Sequence, residues 1–219
     1  MLTRSEEDHI KAVRALLEVG GSASTTEVAE RLGTMLKKLA DKGLMKHEPY
    51  YGVKLTAKGK AAALMLVRKH RLWETFLVDR LGFGWEEVHE VAEQLEHVRS
   101  TKLIDSLSEY LGNPAFDPHG DPIPDRNGRF PSRSTVLLTD CPLGAAIRIA
   151  AVQDGSDGLL QLLNRKGIGI GMELAVAARQ EFDGSVELQP AKGATITLSA
   201  MVAAHLLVEA TGTKAKSSH

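Results

Sequence analysis

Between Trp85 and Tyr110 the chain carries His89, Glu93, Glu96 and His97, and upstream His70 and Glu74 stand four residues apart. Residues three and four apart share one face of a helix, so the downstream run presents two carboxylates and two imidazoles together, and His70 and Glu74 repeat the arrangement on another helix. Imidazole nitrogens and carboxylate oxygens brought together in this way can hold a divalent metal ion. The same spacing also builds solvated faces and salt bridges, so Glu-x-x-Glu-His by itself supports either use. The elements around these residues decide between them.

Glu6 to Val19 places Ile10, Val13, Leu16 and Leu17 at a helical period and stops at Gly20-Gly21. Ser24-Thr-Thr-Glu27 has the form of a capping box and starts a second helix that reaches about Leu32. A third helix, Met35 to Asp41, ends at Gly43, and Leu44 to Leu55 reads as two short strands turning at Pro49-Tyr50-Tyr51-Gly52. Three helices and a hairpin in this order describe a winged helix-turn-helix. From Thr56 to Gly82 the pattern is helical again, and Trp85 to Leu111 is expected to be one long helix bearing the ligands. Gly112 to Ser134 is rich in proline and glycine, too poor in apolar residues to pack, and suited to a linker. Beyond it, short β-type runs at Thr135–Leu138, Ala145–Val152, Glu173–Ala178, Val186–Leu188 and Ala194–Leu198 predict a small β-barrel, and the tail from Thr211 is expected to be disordered. The expected class is α+β, mainly α. Its parts are a winged helix-turn-helix over 1–66, a helical dimerisation and metal-binding domain over 67–111, a linker over 112–134, an SH3-like β-barrel over 135–211 and a tail over 212–219.

A formal net charge of −1 hides an asymmetry in charge along the chain. Arg31 to Arg71 holds eleven lysines and arginines against two acids, whereas Leu72 to Leu111 holds nine acids against three bases. A basic block beside an acidic one suggests a polyanionic partner for the first and a cation for the second. Lys37 and Lys38, between a capped helix and a basic hairpin, suit phosphate contacts with double-stranded DNA, and Thr26, Thr34 and Tyr51 complete the candidate DNA-binding set. Cys141 is the only cysteine, which excludes an intrachain disulfide and a thiolate zinc site. No signal-peptide core and no run of about 18 apolar residues is found, so a cytoplasmic protein without membrane association is expected.

With basic winged helix, acidic helical pair and β-rich end in chain order, the sequence resembles the diphtheria toxin repressor family of metal-dependent transcriptional repressors. Val67-Arg-Lys-His70-Arg-Leu-Trp-Glu74, Val88-His89-Glu-Val-Ala-Glu93-Gln-Leu-Glu96-His97 and Asp117-Pro-His119-Gly-Asp-Pro-Ile-Pro124 carry the likeness, which is greatest to the manganese-responsive branch. The resemblance implies a homodimer on a palindromic operator and a regulatory metal site of Asp8, Glu93, Glu96 and His97. Iron-responsive members have methionine and cysteine where this chain has Asp8 and Glu93. Hard carboxylate oxygens suit Mn²⁺, so Mn²⁺ is the expected ion, with Fe²⁺ or another divalent transition metal as the alternative.

The resemblance also implies an ancillary site of His70, Glu74 and His89, closed either by Gln153 or by Asp117 and His119. The glutamate that iron-type members add from the β domain falls at Ala150. Members with a two-metal cluster carry a glutamate three residues after the Asp8 position. This chain has Lys11 there, so a bridged pair of ions is not expected. Gly33 also runs directly into Thr34, leaving too few residues for a turn and a full recognition helix, so a segment is expected to be missing from the sequence at this point, or deleted from the protein together with base-reading residues. A metal-dependent hydrolase is the alternative from another class. It would need an open coordination position and a placed general base, and no nucleophile elbow, His-Glu-x-x-His or phosphate loop occurs, so an enzyme is not expected.

Overall fold

The computed structural model describes residues 2–20, 36–48, 52–153 and 155–211. Contacts divide the chain into two compact units. The first comprises Met1–Phe76, Glu90–Ala115 and Ile123–Pro131, and the second Leu77–His89, Phe116–Pro122 and Ser132–His219.

The first unit begins with α1 (Arg4–Gly20). Thr3 and Glu6 start it with reciprocal bonds: the Thr3 amide donates to Glu6 Oε2 at 2.8 Å and the Glu6 amide to Thr3 Oγ1 at 3.3 Å. This is a capping box, legible in the sequence as Thr-x-x-Glu. The helix α2 covers residues 36–41 as described, and it ends in a Schellman turn. Leu44 N bonds Leu39 O, Gly43 N bonds Ala40 O, and Gly43 takes the left-handed φ of 67° that such a turn demands. That turn delivers the chain into β1 (Met45–Glu48), which pairs antiparallel with β2 (Gly52–Leu55), Met45 opposite Leu55. Ile10, Val13, Leu39, Leu44, Met45, Val53, Leu55 and Ala63 close one core around these elements. Glu6 is buried beside it and accepts from Lys42 Nζ at 2.6 Å.

A single helix, α3 (Ala57–Leu81), runs from the first unit into the second. After it come α4 (Val88–Leu95) and α5 (Thr101–Tyr110), where one helix from Trp85 to Leu111 was expected. The break has a local cause. Ser100 is the N-cap of α5 and its hydroxyl accepts from Leu103 N, which commits the chain to a new helix start. Leu72, Ile104, Leu107 and Ile123 form a second small core in this unit. Ile123 comes from the proline-rich stretch expected not to pack, and Arg68, buried, donates to Pro124 O in the same stretch.

The second unit is built on six antiparallel strands in the order β3-β8-β4-β5-β6-β7: β3 (Val136–Leu137), β4 (Ala146–Val152), β5 (Glu173–Arg179), β6 (Val186–Pro190), β7 (Ile196–Leu198) and β8 (Leu206–Ala210). The sheet is SH3-like but open, not a closed barrel, since the edge strands β3 and β7 do not pair with each other. Among the elements unread in the sequence are β8, which lies between β3 and β4, and the helices α6 (Asp157–Arg165) and α7 (Ala200–Ala203). Leu206 to Ala210 lacks strict alternation and follows a helical turn, so periodicity gave it no signature. Ile147, Ile149, Leu163, Leu188, Leu198, Leu206 and Val208 fill the core, together with Trp85, whose Nε1 donates to Asn164 Oδ1. Gly120 lies against β4 so closely that a Cβ would stand 2.0 Å from Ala150 O.

The capping box at Ser24 to Glu27, the helix to Leu32, the Gly33–Thr34 junction, the hairpin tip at 49–51 and the tail from Gly212 lie outside the described residues. Among the described residues no helix is long and apolar enough to cross a membrane.

Because Thr3 supplies the oxygen that caps α1, Thr3→Ala should lower the stability of the first unit by about 1 kcal/mol while Thr3→Ser leaves it unchanged. Urea unfolding of the metal-free protein followed by far-UV circular dichroism measures this, and equal midpoints for wild type and Thr3→Ala would remove the box from the account.

Candidate metal centre

The capping box fixes the start of α1 and with it the position of Asp8. From the other side, α4 continues through one more turn, Glu96 N bonding Ala92 O, so that Glu96 and His97 project from its end. Asp8, Glu96 and His97 each bring one ligand atom to within 4.8 Å of the others. Their surroundings differ. Glu96 is buried, 1% exposed, while Asp8 has half its side chain in solvent. A cavity of about 430 Å³ opens beside them, with Lys11 and Glu93 also in its walls.

His97 is held at both nitrogens. Nδ1 is 2.7 Å from Glu7 Oε2 and Nε2 is 3.2 Å from Asp8 Oδ1. A carboxylate on the far nitrogen of a ligating histidine fixes its tautomer and turns the other nitrogen toward the ion. Glu7 therefore orients His97, a role invisible in the sequence because Glu7 and His97 are ninety positions apart. Two carboxylates and one imidazole on a partly solvated wall suit a divalent ion that prefers oxygen and completes its shell with water. Glu93 is less committed: it is half exposed and does not join the close trio, its Oε1 lying 3.8 Å from Lys11 Nζ.

His70 and Glu74 meet as their spacing predicted, Nε2 to Oε1 at 2.8 Å, and both are buried. The other ring nitrogen of His70 reaches Glu96 Oε2 at 2.6 Å, which places His70 between the two carboxylates. Burial alone would push this imidazole down, but Glu74 and Glu96 outweigh it and raise it to about 9. Burial likewise pushes the Glu96 carboxyl up, and the bonds from His70 and Lys11 overcome that and hold it below the ordinary range. Lys11 Nζ stands 2.8 Å from the same Glu96 Oε2.

The remaining candidates divide by unit. His89 and Gln153 belong to the second, both exposed, with Gln153 in the turn after β4. Asp117 and His119 also lie there. Asp117 Oδ1 accepts from the amides of His119 and Asp121, and His119 Nε2 donates to Trp85 O at 2.7 Å while its ring stacks on the indole. That bond engages one of the two nitrogens by which His119 could serve as a ligand. Ala150 is fully buried where the β4–β8 register shifts, and its carbonyl accepts from Arg133. Lys37 and Lys38 are exposed on α2, whereas Thr26, Thr34 and Tyr51 lie outside the described residues.

If Glu7 orients His97, Glu7→Gln should weaken Mn²⁺ binding about 10- to 100-fold without unfolding the protein. Calorimetric titration on the metal-free chain reads this directly, and an unchanged affinity would leave His97 oriented by Asp8 alone.

Residues 1–53 match the family described as "Iron dependent repressor, N-terminal DNA binding domain", 56–125 its "metal binding and dimerisation domain", and 136–210 the FeoA domain. Over 214 residues the chain is 31% identical to the iron-dependent repressor IdeR of Mycobacterium tuberculosis, covering 90% of each. It is 29% identical over 199 residues to the diphtheria toxin repressor of Corynebacterium efficiens, covering 82% of this chain and 85% of that one. A solved manganese-dependent transcriptional repressor in complex with manganese aligns at a TM-score of 0.78 and 36% identity, over 93% of this chain and 99% of that one. The chain belongs to the iron-dependent, or diphtheria toxin, repressor family of metal-dependent transcriptional repressors.

Proposed function

We propose that this chain is a Mn²⁺-activated repressor that binds a palindromic operator as a homodimer and controls metal-transport genes. The observation that carries the proposal is the meeting of Asp8, from the helix that leads into the DNA-binding fold, with Glu96 and His97 at the end of α4. Ligands drawn from both elements would join the two when an ion is bound. Asp8, Glu96 and His97 then fix α1 against α4, and in a dimer this sets the spacing between the two DNA-binding surfaces, which must match successive major grooves. Glu93, on the cavity wall, is the fourth ligand in this proposal.

Three features support manganese over iron. The donors of the site are carboxylates and one imidazole. The single cysteine, Cys141, is buried in the sheet core of the second unit, its thiol directed at Leu137 O. The solved relative aligned above is a manganese-dependent repressor. Since Mn²⁺ is the weakest binder of the divalent series, selectivity has to come from geometry and availability. The ancillary site is proposed with His70 and Glu74 as its buried pair, while His89 and Gln153 are assigned to it on the resemblance alone.

For DNA, Lys37 and Lys38 on α2 are the proposed phosphate contacts, followed in the chain by the β1–β2 hairpin. Such contacts position a domain without reading sequence. For the homodimer, α5 offers the surface: Leu103 and Tyr110 are exposed on it, and Tyr110, Phe76 and Trp73 form a run of edge-on and tilted aromatic contacts. An exposed tyrosine backed by half-buried aromatic rings suits an interface between copies.

Glu96→Ala and His97→Ala should each abolish Mn²⁺-dependent DNA binding and leave a folded dimer. Fluorescence anisotropy with a labelled metal-transport promoter, in Mn²⁺, Fe²⁺ or chelator, tests this, and a variant that still needs Mn²⁺ for tight binding would refute the assignment. Exchanging hard donors for soft ones, Asp8→Met with Glu93→Cys, should move activation toward Fe²⁺. An unchanged order of metals in the same assay would show that these ligands do not set the preference.

A further inference from the structure

Resting on the reading that Asp8, Glu96 and His97 hold an ion, we propose that the Lys11 ammonium is a tethered cation in this cluster, one that must leave Glu96 as an ion binds. Lys11 then determines both how tightly the cluster takes Mn²⁺ and how many ions it takes.

Lys11 lies three residues after Asp8 on α1, so both side chains reach the same cavity wall. Its Nζ is 2.8 Å from Glu96 Oε2, 3.8 Å from Glu93 Oε1 and 3.4 Å from His70 Nδ1. Carboxylate oxygens of Glu96 and Glu93 on one positive centre are surroundings that a bound metal ion would also take, here filled by an ammonium group. The Glu96 oxygen it holds is also the one that His70 reaches at 2.6 Å. One buried carboxylate therefore serves Lys11, His70 and the Asp8–His97 trio at once. An ion placed on that trio would bring a double positive charge beside the ammonium on a shared, poorly solvated carboxylate, where like charges repel far more strongly than in water.

The lysine is suited to yield. Its side chain is a quarter exposed, it sits on a flexible four-carbon stem, and the cavity of about 430 Å³ gives the ammonium somewhere to move. While in place it neutralises Glu96 and so competes with the ion for the same oxygen. By lying between the Glu96 and Glu93 oxygens it also keeps a further cation from those two carboxylates.

Calorimetric titration of Mn²⁺ into the full-length, metal-free protein without DNA separates the outcomes. Lys11→Met removes the competing charge and keeps an apolar stem, and should tighten the cluster's affinity by about tenfold or more. Lys11→Gln serves the same comparison if the methionine variant does not fold. Lys11→Arg keeps the charge and should stay within about threefold of wild type. Lys11→Glu puts a carboxylate where the ammonium was and should gain one further equivalent of Mn²⁺ per chain. Wild-type affinity in the Met and Gln variants, or wild-type stoichiometry in the Glu variant, would overturn the proposal for Lys11 while leaving the ligand assignment standing. Glu96→Ala in the same titration separates the two levels: if it keeps the wild-type equivalent, the ligand assignment falls and the role of Lys11 falls with it.

Discussion

A carboxylate that is 1% exposed is stable only with counter-charge around it, and in this protein that carboxylate is Glu96. Lys11 from α1 and His70 from α3 supply the charge, so α1, α3 and the end of α4 are bound to one another through a single oxygen atom. The rest of the first unit holds those three elements at hydrogen-bonding distance. The Thr3–Glu6 box fixes where α1 begins, Ile10 and Val13 press its other face into the core, and the Schellman turn at Gly43 sends the chain back over that core as a hairpin.

Such a cluster is neutralised from within before any ion arrives. Metal binding at the proposed site would accordingly be an exchange of cations more than the filling of an empty pocket. In the proposed site an ion would gain Asp8, Glu96 and His97 but would have to compete with the Lys11 ammonium and with the His70 ring for Glu96. Competition of this kind weakens binding, and weak binding lets a regulator respond to changes in free ion. Glu7 acts in the opposite direction: by holding Nδ1 of His97 it keeps the other nitrogen turned toward Asp8 and reduces the ordering needed on binding.

The second unit obeys a different constraint. Its six strands surround an apolar core into which Trp85 is drawn, with the indole N–H satisfied by Asn164. Ala150 is packed at the register shift of β4, and Gly120 approaches its carbonyl too closely for any side chain. The backbone of β4 at Ala150 to Val152 is thus what the 117–121 turn lies on, with Val152 N bonding His119 O.

The sequence by itself determined the helices with strong periodicity, the hairpin, most of the strands and the pairing of His70 with Glu74, whereas the grouping of Asp8 with Glu93, Glu96 and His97 came from the family resemblance, and the structure brings Asp8, Glu96 and His97 together. The former depend on spacings of two, three and four residues, or on motifs that chain order preserves. Tertiary structure alone decided what links distant positions. It inserted β8 between β3 and β4, left the sheet open, packed Ile123 from a stretch that composition marked as linker, and brought Glu7 to His97 and Lys11 to Glu96. The last two contacts span ninety and eighty-five positions, and no local pattern encodes them. They exist because the core beneath α1 sets that helix against the end of α4, and a buried carboxylate then takes whichever cation the packing brings within reach.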